Sequence, residues 1–175
     1  MVYKLLESNV VSVDEPMIDH IGHIMAERKK TLSVSEVSTK GALSAWLQSN
    51  EQVEDCFGHS WVMAEPKESE LEKNDPLAAT FALAGATREK CGTELALVTG
   101  KLEGNTFSIA LSSEAGEWGQ VLEFYRQYKR EDARTIIKTV AADMLRRHLD
   151  NKPMFGTYSS VKRLKDMFIP AAIIK

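Results

Sequence analysis

Residues 93 to 100, TELALVTG, constrain the fold of this 175-residue chain more than any other stretch. Leu95, Ala96, Leu97 and Val98 form a nearly continuous apolar run, the pattern of a strand covered on both faces, and Gly100 is expected to end it. A strand of that kind needs helices above and below its sheet.

The flanking segments supply them. DEPMIDHIGHIMAERKK places Met17, Ile21, Ile24 and Met25 on one helical face, with Asp14 as N-cap and basic residues at the C-terminal end. TLSVSEV is a short strand, KGALSAWLQSN a helix closed by Asn50, and GHSWVMA another strand. EPKESELEK reads as an exposed turn of helix. Asp75 and Pro76 then open a helix that Gly92 stops, and its Ala78, Ala79, Ala82, Gly85 and Ala86 predict close packing on a sheet.

NTFSIALSS alternates, with Phe107, Ile109 and Leu111 on one side, and QVLEFYRQY follows after EAGEWG, so the two predict an antiparallel hairpin. A last helix runs from Arg130 to Leu149 with Ile137, Val140, Ala141, Met144 and Leu145 inward. Interleaved helices and strands, some antiparallel, predict an α/β fold, a three-layer α/β/α sandwich on a mixed sheet. Residues 1–149 are expected to form one domain and 150–175 an extension packed on it or on a neighbouring chain. The extension allows a short helix near Ser159 to Met167 before an apolar run broken by Pro170. Phe168, Ile169, Ile173 and Ile174 are expected to be covered, and a homo-oligomer would provide one cover.

A formal net charge of −3 gives no basic bias that would point to nucleic acid. The N-terminus has no apolar signal region and no stretch is long enough to span a bilayer, so the cytoplasm is the expected location. Cys56 and Cys91 stand alone, without metal spacing, and read as reduced thiols. His20, His23 and Glu27 share one flank of the first helix, where they read as the polar border of its apolar stripe, and no metal or cofactor is expected.

Ser38, Thr39, Lys40 and Gly41 join a strand to a helix. Such a turn aims backbone N–H groups and a helix N-terminus at one point, which suits a phosphate or carboxylate; it also serves simply as a helix cap.

The order of such features resembles the C-terminal domain family of CinA, the competence/damage-inducible protein, which includes stand-alone nicotinamide-nucleotide amidohydrolases. The family's Ala-Glu-Ser-Cys-Thr-Gly-Gly is matched by Ser35-Glu36-Val37-Ser38-Thr39-Lys40-Gly41, and its Tyr-Ser-Asn-Glu-Ala-Lys by Val62-Met63-Ala64-Glu65-Pro66-Lys67. Its helical Gly-Ala is matched by Gly85-Ala86 and its strand-closing Thr-Gly by Thr99-Gly100. The Gly-Asp-Arg segment that opens its final helix is matched by Tyr128-Lys129-Arg130, with Arg134 one turn on. The likeness covers roughly residues 15 to 149.

The resemblance implies a site that hydrolyses the carboxamide of nicotinamide mononucleotide with a lysine-activated serine, an oxyanion held at a helix N-terminus and a phosphate held by arginines. This chain departs from it where the chemistry lies. Val37 stands at the serine, Val62 at the tyrosine, Lys40 at a glycine, and the loop after the Thr-Gly is reduced to Lys101-Leu102-Glu103. The expectation is a domain that has lost the reaction and keeps a reduced cleft for a phosphate-bearing small molecule, formed by Glu36, Thr39, Lys40, Gly41, Thr99, Gly100, Arg130 and Arg134. One alternative is a working amidase with Ser38 as nucleophile and Lys67 as base. Another is a structural or interaction subunit.

Overall fold

The computed structural model describes residues 15–64 and 75–174. Asp14 and the charged stretch 65–73, with Lys67, lie outside the described residues.

The chain runs α1 (Met17–Arg28), β1 (Leu32–Glu36), α2 (Ala42–Leu47), α3 (Glu51–Asp55), β2 (Phe57–Val62), α4 (Pro76–Cys91), β3 (Leu95–Glu103), β4 (Thr106–Ser113), β5 (Gly116–Phe124), α5 (Arg130–Leu149), β6 (Val161–Pro170) and α6 (Ala171–Ile174). The six strands form one sheet in the order β2-β1-β3-β4-β5-β6. β1 is parallel to both β2 and β3, and the other neighbours are antiparallel. With helices on both faces, this is the mixed three-layer α/β sandwich expected from the sequence.

On one face, Ile21 and Met25 of α1, Leu43 and Leu47 of α2, and Ile137, Val140 and Met144 of α5 pack against Leu32, Val34, Leu95, Leu97 and Ile109 of the sheet. On the other, Leu77, Phe81 and Ala84 of α4 cover Val98, Ala110 and Val121. β3 therefore buries side chains on both faces, and its apolar run is explained. α4 comes close because β5 presents a glycine, Gly119, beneath Leu77 and Phe81. A Cβ on Gly119 would lie 2.7 Å from both Leu77 Cδ1 and Phe81 Cζ.

Local chemistry explains the ends of α4. The Asp75 side chain accepts the Leu77 N–H, Pro76 occupies the first turn where no N–H partner is needed, and Gly92 turns the chain out at φ 63°.

Three elements differ from their expected form. Asn50 does not close α2, which ends at Leu47; its side chain instead accepts N–H groups of Gln52 and Val53 and caps α3, a short helix with too few residues to show a period. Gly100 does not end β3. Lys101, Leu102 and Glu103 continue it as strand, with the pairing to β4 shifting register between Thr99 and Leu102. Residues 161–170 form a strand, not a helix, because the open edge of β5 offers them N–H and C=O partners from Gly116 to Phe124. Along this strand Trp118 stacks on Phe168, with ring centroids 4.6 Å apart. Phe168, Ile173 and Ile174 are exposed in the single chain. No helix among the described residues is long and apolar enough to cross a membrane.

Candidate functional site

β1 lies between β2 and β3. The chain leaves it toward β2 through α2 and α3 on one face and returns from β2 to β3 through α4 on the other. Such a reversal opens a crevice beyond the carboxyl ends of the parallel strands. A cavity of about 430 Å³ lies there, between the N-terminal half of α4 and the ends of β1 and β3. Val37 and Gly100 meet it from the strand ends, Ala79, Thr80 and Leu83 from α4, and Ser108 from β4.

The turn after β1 is organised around Glu36, which is completely buried. One carboxylate oxygen accepts the Ser44 N–H at 2.8 Å and the Ser44 hydroxyl at 2.5 Å. The other accepts the N–H groups of Gly41 at 3.0 Å and Leu43 at 3.1 Å and the Thr39 hydroxyl at 2.5 Å. Since Thr39 gives its one proton to Glu36, the 2.7 Å contact with Thr99 is a hydrogen bond donated by Thr99. Ser60 in turn donates to Ser44 at 2.6 Å. The N-terminus of α2 does receive an anion, and that anion is the protein's own carboxylate. Glu36, Thr39, Gly41 and Thr99 are thus brought together in a closed internal network.

The next two residues continue beside β3. The Val37 N–H donates to the Thr99 carbonyl at 2.9 Å and the Ser38 N–H to the Gly100 carbonyl at 3.2 Å. Val37 lines the cavity. Ser38 does not; its hydroxyl is buried and has no hydrogen-bond partner among the described residues. Lys40 is exposed, adopts the left-handed region at φ 52°, and reaches toward the Met63 carbonyl at 3.5 Å. Gly41 follows at φ 94°, with Val62 standing beside it: a Cβ on Gly41 would lie 3.4 Å from Val62 Cγ2.

Gly100 has a steric reason to be glycine. A Cβ there would lie 2.3 Å from the Ser108 hydroxyl oxygen and 2.5 Å from that of Thr80. Thr80 donates to the Pro76 carbonyl at 2.9 Å, so the 2.6 Å contact between Thr80 and Ser108 is donated by Ser108. Both hydroxyl protons are therefore committed internally.

The arginines expected at the site stand apart from it. Arg130 is exposed at the start of α5, and Arg134 is half-buried, its Nε buried and without a partner among the described residues. α5 packs on the opposite face of the sheet from α4, and neither arginine lines the cavity.

A second polar cluster, not anticipated from the sequence, ties α5 to the segment after it. One Asp143 carboxylate oxygen accepts Arg146 Nε at 2.9 Å and Nη2 at 2.7 Å. The other accepts Arg147 Nε and the Tyr158 hydroxyl, both at 2.7 Å. Burial alone would push the Asp143 carboxyl up, but the hydrogen bonds from Arg147, Tyr158 and Arg146 outweigh it and hold the group below its ordinary value. Tyr158 is pushed the other way by burial and by the Asp143 charge, and stays a proton donor. Arg146 also reaches Asp150, which bonds His20 at 2.9 Å; His20 and His23 both contact Glu15. The histidines of α1 are thus joined to carboxylates, and no group of three or more His, Cys, Asp or Glu among the described residues is arranged to hold a metal ion. Charges at 143, 146, 147 and 150 share one side of a helix, which was the available signal, but that spacing equally describes a solvated face.

No family model matches the chain. A CinA-like protein of Shewanella piezotolerans (strain WP3 / JCM 13877) is 25% identical over 182 residues, covering 89% of this chain and 42% of that protein. The chain therefore spans less than half the length of that relative. A CinA superfamily protein from Klebsiella pneumoniae 700603 shares the fold with a TM-score of 0.63 at 16% identity, over 77% of this chain and 96% of that one. One from Escherichia coli does so with a TM-score of 0.60 at 12% identity, over 81% and 97%. Sequence similarity along most of the chain and the common fold make this chain similar to CinA-like proteins, with the fold of the CinA superfamily structures.

Proposed function

We propose that the chain is a non-hydrolytic, ligand-binding member of the CinA-like family. The observation that carries this reading is Val37. It occupies the position of the serine in the amidohydrolases the sequence resembles, and it faces the cavity at the carboxyl ends of β1 and β3. A hydrocarbon side chain cannot attack a carboxamide or form an acyl-enzyme. The donors that could hold an oxyanion at the start of α2 are bonded to Glu36.

One observation favours a second reading. Among the described residues the Ser38 hydroxyl has no hydrogen-bond partner, as a nucleophile awaiting its base would. Its position behind the cavity wall weighs against it, because a nucleophile must approach the reacting carbon at about 3 Å with its orbital aligned.

An ammonia-release assay with nicotinamide mononucleotide separates the two. The expected result is no ammonia above the buffer background at high protein concentration. Turnover that disappears in Ser38→Ala would overturn the proposal and establish Ser38 as the nucleophile.

A further inference from the structure

Resting on the non-hydrolytic reading, we propose that the cavity takes a small uncharged ring compound bearing an N–H or O–H donor, and does not take a phosphate-bearing one. Its volume of about 430 Å³ falls within the range of small-molecule sites. Its walls are mainly hydrocarbon: Val37, Met63, Ala79, Leu83 and Phe107. Apolar surface of this kind gains from covering a ring and offers nothing to a charge.

Two hydroxyls inside are specific in kind. Thr80 gives its proton to Pro76 and Ser108 gives its proton to Thr80, so the oxygen lone pairs that remain can only accept. A ligand polar group that meets them must donate. A phosphate or carboxylate, which only accepts, would face lone pairs and lose its hydration without replacement.

The usual means of holding a phosphate are engaged elsewhere. The N–H groups at the start of α2 are bonded to Glu36, and among the described residues no arginine lines the cavity. Among the described residues Lys101 is its one lysine, and Glu103 lies two residues along the same strand, so the two lean to the same side and offset each other at the mouth. The charges of these two described residues sum to zero.

Indole, 1-methylindole and adenosine monophosphate test this, with binding followed by protein-observed NMR and calorimetry. Indole and its methyl derivative differ in the single N–H donor, and the nucleotide supplies a ring with a phosphate. The expected result is saturable binding of indole, binding of 1-methylindole weakened about fivefold, as befits one lost hydrogen bond, and no binding of the nucleotide. Ala79→Phe, which fills the cavity from α4, should abolish indole binding while circular dichroism remains native. The comparison of the two indoles is made on the unaltered protein and stands even if that variant fails to fold. Equal affinity for both indoles, or failure of indole to bind the folded protein, overturns the proposal. So does nucleotide binding that Lys101→Ala removes. Nucleotide binding without ammonia release would defeat this inference alone, whereas ammonia release would defeat the reading on which it rests.

Discussion

The carboxylate of Glu36 accepts the backbone N–H of Ser44 at 2.8 Å, so the last residue of β1 serves as the anion at the N-terminus of α2. Removing it in Glu36→Ala would leave the N–H groups of Gly41, Leu43 and Ser44 without their partner. Each buried unsatisfied group costs about 1–3 kcal/mol, so a loss of at least about 3 kcal/mol is expected in urea denaturation. Glu36→Gln keeps one accepting oxygen and should lose less. Equal stability of all three proteins would show that the carboxylate is not the cap.

Lys40 bears a Cβ in the left-handed region, where the resembling family has glycine. That conformation costs a side-chain-bearing residue about 1–2 kcal/mol, and glycine adopts it freely at the expense of a more flexible unfolded chain. Lys40→Gly is therefore expected to raise stability by up to about 1 kcal/mol, or roughly 2–4 °C in melting temperature for a chain of this size. A fall in melting temperature would show that the lysine contributes through its side chain more than its backbone costs.

Acid should release the Asp143 cluster. The Asp143 carboxyl is held below its ordinary value in the folded protein, so its contribution is fully present above the unfolded value near 3.9 and is lost as pH falls through the lower, folded value. Asp143→Asn removes the charge that Arg146 and Arg147 share, and breaking a buried pair in this way costs about 3–5 kcal/mol. The variant should melt much lower at pH 7, and its loss of stability below pH 4 should be shallower than that of the parent. Parallel acid profiles would mean that Asp143 does not titrate with folding.

Truncation after Asn151 removes β6 and the Tyr158 hydroxyl that donates to Asp143. It also uncovers Trp118 by taking away Phe168. The expected outcome is a melting temperature lower by several degrees or more, with tryptophan emission shifted to the red. Unchanged melting and emission would show that β6 does not pair with β5 in solution. Light scattering on both forms reads whether the exposed Phe168, Ile173 and Ile174 join chains.

Much of the fold was legible because its signals are local. The Asp75-Pro76 start and Gly92 stop of α4 depend on groups within a turn of one another, and the alternation of β4 and the stripe of α5 are written in consecutive residues. The absence of a nucleophile at position 37 could also be read directly.

What the tertiary structure alone decided depends on distance across the chain. Residues 162 to 168 are all exposed, so β6 carries no buried alternation to read, and the open edge of β5 makes it a strand. The sequence showed hydroxyls and a helix start near position 40, suited to a bound phosphate, beside an acid. Only folding brings the Glu36 carboxylate within 3.1 Å of three N–H groups and commits those donors internally. Likewise Val37 was visible as an apolar residue in a polar turn. That it walls a cavity shared with Gly100 and α4 follows from the reversal of strand order at β1, which residues far apart in the chain create together.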